Sequence, residues 1–136
     1  GFWYLLNVSS QNFTGLQFGF DTDIPVAGDY DGDGNIDIAV FRPSDGRWYI
    51  TNTSGSTLNV IVWGANGDIP VPGDYDGDGK TDAAVYRPAD QTWYIRRSSN
   101  GALQAAVFGN ADDKFVPRDY DGDGKTDIAV FRPSND

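Results

Sequence analysis

The 136-residue chain contains no cysteine, no histidine, no methionine and no glutamate. Without Cys and His, disulfides, thiol catalysis, zinc sites of the usual kind and any His-based triad are excluded. The redox compartment stays open, because a Cys-free chain tolerates either. All 20 acidic residues are Asp. Glu favours helices, whereas Asp, Gly and Pro favour turns, so 20 Asp beside 17 Gly and 7 Pro mark a turn-rich chain. No apolar run approaches the ~20 residues that cross a membrane as a helix, and no signal-peptide pattern is visible. The chain opens on Gly1 and reads as a mature product or an excised segment, so a missing leader carries little weight. Basic residues are few, ten in all, and scattered against a formal net charge of −10. A phosphate backbone needs a basic stripe, so nucleic acid is not an expected partner, and neither is membrane insertion.

What the chain has in abundance is repetition. Asp29, Asp74 and Asp119 are 45 residues apart, as are Trp3, Trp48 and Trp93, each followed by Tyr. Gly19, Gly64 and Gly109 keep the spacing behind an aromatic residue, and Pro43, Pro88 and Pro133 keep it behind an aromatic and Arg. Three gapless repeats, 1–45, 46–90 and 91–135, cover all but one residue. Within a period the pattern is that of strands. "RWYITNT" (47–53) and "LNVIVWG" (58–64) are β-branched and aromatic around a hairpin-like "SGST", "DIPVPGDY" (68–75) is a short strand, and "TDIAVFRP" (126–133) places Ile128 and Val130 on one face with Ala129 and Phe131 on the other. No segment has helical periodicity. Four short antiparallel strands per 45 residues predict an all-β chain of β-propeller blades.

The loop "DYDGDGNID" (29–37) and its copies at 74–82 and 119–127 place carboxylates at positions 1, 3, 5 and 9, with Gly at position 6. Ca²⁺ takes six to eight oxygens at roughly 2.3–2.6 Å, and alternating carboxylates in a tight loop can supply them. The candidate ligands are Asp29, Asp31, Asp33 and Asp37, then Asp74, Asp76, Asp78 and Asp82, then Asp119, Asp121, Asp123 and Asp127. The backbone carbonyls of Asn35, Lys80 and Lys125, at position 7, complete each set. An EF-hand begins in the same way but closes on Glu at position 12, where this chain has Val40, Val85 or Val130. Acidic turns are the plain alternative. They account for one Asp-Gly pair but not for four mutually repelling carboxylates repeated three times. Three Ca²⁺ per chain would move the formal charge from −10 to −4.

This pattern, with Phe18-Gly19, Trp63-Gly64 and Phe108-Gly109 upstream and Phe41-Arg42-Pro43 and its copies downstream, resembles the FG-GAP/VCBS repeat family. That family includes the calcium-binding blades of integrin α-subunit propellers and many bacterial surface and secreted proteins, and the Arg-Pro form is that of its bacterial branch. The resemblance implies that each calcium loop joins the innermost strand of a blade to the second. The chain then comprises half a blade, two whole blades and another half. Half blades expose strand edges. Two chains head to tail would complete a six-bladed ring, and this homodimer is favoured over a place within a longer propeller. Implied too is an extracellular or cell-surface setting, as in a secreted bacterial protein.

The Trp-Tyr pairs are expected to pack between blades rather than to form a sugar platform. Arg42, Arg87 and Arg132 are expected to tie to a loop carboxylate or a ring face. Asp21, Asp23 and Asp113 fall in loops that vary, and threefold equivalence argues against a single active site, so no enzyme activity is expected. The expected function is a calcium-stabilised interaction or adhesion module for a protein ligand. A multivalent carbohydrate-binding lectin and an architectural segment of a longer propeller are the alternatives.

Overall fold

The computed structural model describes residues 1–133, so positions 134 and 135 of the third repeat lie outside the described residues. Its strands are β1 (Phe2–Leu6), β2 (Phe13–Gln17), β3 (Ile24–Pro25), β4 (Ile38–Arg42), β5 (Arg47–Thr51) and β6 (Asn59–Val62). They continue as β7 (Ile69–Pro70), β8 (Ala83–Arg87), β9 (Thr92–Arg96), β10 (Leu103–Val107), β11 (Lys114–Phe115) and β12 (Val130–Phe131). No helix occurs among the described residues. Two four-stranded antiparallel sheets, β3-β4-β5-β6 and β7-β8-β9-β10, stand between the two-stranded sheets β1-β2 and β11-β12.

The innermost strands are shorter than the sequence predicts. β3 and β7, like β11, are regularly paired over two residues only, and in β3 and β7 the second of these is Pro25 or Pro70, which has no N–H to donate. The ladder resumes through Val26, Val71 and Val116, whose N–H groups donate to Ala39, Ala84 and Ala129 at 2.8, 2.8 and 3.0 Å. Bridges Gly28↔Asp37, Gly73↔Asp82 and Arg118↔Asp127 then close the base of each aspartate loop.

The second strands, β4 and β8, are buried on both faces, which explains why "IAVF" and "AAVY" are apolar throughout. Alternate residues serve different neighbours. Ala83 and Val85 join a core with Val26, Ala39, Phe41, Trp48 and Ile50 of the sheet before. Ala84 and Tyr86 join Val71, Tyr75, Trp93 and Ile95, against which Phe115, Ile128 and Val130 of the next sheet pack. The hydrophobic cores therefore lie between consecutive sheets.

The aromatic-Gly motif has a steric cause. Gly19, Gly64 and Gly109 have φ of 88°, 104° and 90°. A Cβ there would come within 3.0–3.1 Å of a methyl of Val40, Val85 or Val130 in the following sheet. Only glycine combines this backbone conformation with so close an approach. Trp48 and Trp93 are fully buried, and their Nε1 groups donate to the carbonyls of Trp63 and Phe108 at 2.9 and 2.8 Å. These are packing residues, as expected, and offer no flat face to a sugar.

Candidate metal centre

Each aspartate loop is built by its own backbone. Asp29 accepts from the N–H groups of Gly32 (2.8 Å), Asp33 (3.2 Å) and Gly34 (2.9 Å), so one carboxylate folds five residues around itself. Asp74 and Asp119 repeat the arrangement. Gly34, Gly79 and Gly124 turn the chain with φ of 86–88°. The position 9 carboxylates, Asp37, Asp82 and Asp127, accept from the N–H of Tyr30, Tyr75 and Tyr120 at 2.8–2.9 Å. Those tyrosines anchor the loop to the strand below it, donating at 2.6 Å to the carbonyls of Val26, Val71 and Val116.

The carboxylates converge. In loop 74–82 one oxygen from each of Asp74, Asp76, Asp78 and Asp82 lies within 4.8 Å of the others. Oxygens on opposite sides of a shell of radius about 2.3–2.6 Å are about 4.6–5.2 Å apart, so this set fits a single Ca²⁺. In loop 29–37 the converging set is Asp29, Asp31 and Asp33, with Asp37 outside it. In loop 119–127 it is Asp119, Asp121 and Asp127, with Asp123 outside. The N–H groups of Asn35, Lys80 and Lys125 donate to the position 5 aspartates at 2.8–2.9 Å. Their carbonyls accept no hydrogen bond from the described residues.

Loop 74–82 differs from the others in a way the sequence reading missed. The β9-β10 hairpin closes over it. Ser98 donates from its N–H to Asp82 (2.7 Å) and from its hydroxyl to Asp78 (2.8 Å), and the Ser99 hydroxyl donates to Asp76 (2.8 Å). At the equivalent places in the first full sheet stand Thr53 and Ser54, and the Ser54 hydroxyl bonds within its own hairpin. A cleft lined by Asp33, Asn35, Asp37, Asn52 and Thr53 separates that hairpin from its loop. The repeated hydroxyl positions were the available signal. Burial pushes the Asp82 carboxyl above its ordinary range, against the opposing bonds from Ser98. Asp74 is pushed up as well, by burial first and by the adjacent carboxylates of Asp76 and Asp78. Crowded carboxylates of this kind gain from a divalent cation, which neutralises them without a proton.

A second set of aspartates corrects the sequence reading. Asp23, Asp68 and Asp113 do not sit in dissimilar loops but are 45 residues apart, one per sheet, with nearly fully buried side chains. Each receives a two-pronged grip from the Arg before the repeated Pro: Arg42 on Asp23 (2.8 and 2.8 Å), Arg87 on Asp68 (2.9 and 2.9 Å) and Arg132 on Asp113 (2.7 and 2.8 Å). Arg42 also lies 3.9 Å over the Phe20 ring and 4.3 Å over Tyr49, so the expected carboxylate and ring partners are both present. Burial opposes ionisation of Asp23, yet the Arg42 grip holds its pKa below the ordinary value. The Arg132 grip lowers that of Asp113 to about 2. A depressed carboxyl stabilises the fold above its unfolded-state value of about 4 and loses that contribution as pH falls towards 2. We expect urea midpoints to drop between pH 5 and pH 2.5, and to drop less in Asp113→Asn. An equal drop would remove this pair from the account.

The sheets and loops together define a β-propeller-like repeat. The model for the FG-GAP-like repeat matches residues 29–85, from the first aspartate of one loop through the next loop into β8. Those residues are similar to the FG-GAP-like repeat, in keeping with the Phe-Gly and aspartate motifs around them. No curated protein and no solved structure matches the chain. Among the described residues no helix is long and apolar enough to cross a membrane.

Proposed function

We propose that this chain is a calcium-binding β-propeller repeat module that works outside the cell or at its surface and engages a protein partner. The observation that carries the reading is the threefold convergence of carboxylates in loops braced by their own backbone. Ca²⁺ is favoured over Mg²⁺, because the sets are all oxygen and offer more ligands than an ion that keeps its waters would use. The ion's role is structural. It neutralises the loops that follow β3, β7 and β11, and a site repeated three times favours scaffolding over catalysis. Acidic loops of this class in extracellular modules bind at roughly 10⁻⁴–10⁻³ M, a range that suits a setting rich in calcium.

The exposed residues at the two ends support completion of the half sheets by pairing. Phe131 is 59 % exposed where its equivalents Phe41 and Tyr86 are fully buried. Tyr4 is 67 % and Phe108 49 % exposed, whereas their counterparts Tyr94 and Trp63 pack together between the full sheets. Pairing β12 of one copy with β1 of another, in the register of β4 with β5, would set Phe131 opposite Trp3 as Phe41 stands opposite Trp48. Two copies closed in this way make a six-bladed head-to-tail dimer.

One observation favours the second reading, completion by further repeats of a longer chain. Where consecutive sheets meet, a Cβ on Gly28 or Gly73 would come within 2.7 Å of Thr81 or Thr126. At the joint between two copies those positions are Arg118 and Ile36, so the interior joint cannot be reproduced there unchanged. Light scattering after size exclusion separates the readings. In millimolar calcium the dimer gives twice the 14.8 kDa chain mass and loses it in excess EGTA. A particle of single-chain mass in both buffers would refute the dimer.

A further inference from the structure

The joint between sheets carries a further role for the repeated Lys-Thr pair. Thr126, at position 8 of its own loop, makes no bond to that loop's carboxylates. Its N–H donates to the Asp74 carbonyl at 2.7 Å, and its hydroxyl accepts from the Asp74 N–H at 2.9 Å. Both backbone groups of the first candidate ligand in loop 74–82 are therefore held by the next sheet. The Lys125 stem lies over the same loop, 3.0 Å from where a Cβ of Gly77 would be. Thr81 donates in the same way to the Asp29 carbonyl at 2.7 Å, and the Lys80 stem covers Gly32. In loop 29–37 the pair is Asn35-Ile36, and Ile36 is 60 % exposed. The Gly28 and Gly73 that admit the threonine give way to Arg118 before loop 119–127.

We propose that the cation loops are coupled in series, each Lys-Thr pair setting the loop of the sheet before it, and that Thr126 is the positioning residue for the Asp74 site. This rests on the cation reading above and adds a direction and a ranking to it. Loop 74–82, gripped by Thr126 and covered by Ser98 and Ser99, binds most tightly. Loop 29–37, gripped through the Thr81 backbone, follows. Loop 119–127 is gripped from a following sheet by no described residue. A hydrogen bond that holds a ligand in place contributes about 1 kcal/mol, which is roughly fivefold in affinity.

The test is a Ca²⁺ titration of the calcium-stripped full chain, followed by NMR at the amides of Gly34, Gly79 and Gly124. Each of these donates to the first aspartate of its own loop at 2.9 Å and so reports one site. We expect Gly79 to respond at the lowest calcium. In Thr126→Val its midpoint rises about fivefold while that of Gly124 stays within twofold, and Thr126→Ser restores it. In calcium-free protein the Asp74 amide exchanges slowly in the wild type and faster in Thr126→Val, which reads the grip independently of the ion. A larger shift at Gly124 than at Gly79, or none at either, would overturn the coupling. If no glycine amide of the wild type responds to calcium, the cation reading falls, and the coupling with it.

Discussion

Replacing Trp93 with alanine lowers the unfolding free energy by about 3–5 kcal/mol. The indole is fully buried, 6.0 Å from the Tyr86 ring and 5.6 Å from Phe115, both in edge-on geometry. Its partners come from two sheets, so the cavity cannot close by moving one strand. Phe115 belongs to the two-residue β11 and packs on both Trp93 and Tyr86. The lost Nε1–H also leaves the Phe108 carbonyl without its donor. For a domain whose total stability is about 5–15 kcal/mol, this is a large fraction. Trp93→Phe, which keeps a ring but no donor, costs less. Trp3→Ala costs least, because Trp3 is only half-buried in the two-stranded sheet. Urea unfolding of the single chain in EGTA measures all three. Equal losses at Trp3 and Trp93 would contradict a core that lies between the full sheets.

Calcium stabilises the fold by an amount that grows with its concentration. With dissociation constants of about 10⁻⁴–10⁻³ M, 10 mM free calcium adds roughly 1.4–2.7 kcal/mol per site. Three such loops together add roughly 4–8 kcal/mol, which corresponds to a rise in melting temperature of more than about 10 °C. Magnesium gives a smaller rise, because it holds its waters and needs stricter geometry. Linkage sharpens the expectation. The Asp74 and Asp82 carboxyls have raised pKa values, so without calcium their contribution to stability is present at low pH and lost as pH rises through those values. The calcium effect is therefore larger at pH 7 than at pH 4. Thermal unfolding in calcium and in EGTA at both pH values checks this, and coincident curves at pH 7 would contradict it.

The fold was legible because the chain states it three times. Strand type, the all-β class and the order of elements within a period follow from β-branched and aromatic patterning between turns. A period that repeats without gaps leaves little freedom to misread it. The loops were legible for the same reason, since a tight turn with alternating carboxylates has one obvious geometry. What escaped were contacts between elements far apart in the chain. Asp23, Asp68 and Asp113 keep the 45-residue spacing, but the residues around them vary, which hides them as a set. The grip from Arg42, Arg87 and Arg132 crosses 19 residues and depends on how β4, β8 and the last strand lie over the preceding turn. Ser98 and Ser99 stand in an ordinary hairpin sequence, and only the folding of that hairpin over its own loop gives them a role. Thr81 and Thr126 looked like parts of the loops in which they stand, and their partners lie one sheet away. Spacing within a repeat is local information, whereas the joint between repeats is set by packing.

The ends of the chain follow from the same packing. Phe108, Phe131 and Tyr4 are exposed where interior copies are covered, so each end presents an unfinished version of a joint that occurs complete elsewhere in the molecule. Arg118 and Ile36 mark the place where that joint changes character.

The central claim is that three aspartate loops each hold one calcium ion. Isothermal titration calorimetry of the chelator-stripped chain with calcium tests it most directly. The account predicts three ions per chain, falling to two when Asp74, Asp76 and Asp78 are together replaced by Asn. Heats no different from buffer up to 10 mM calcium would leave the loops as acidic turns and contradict it.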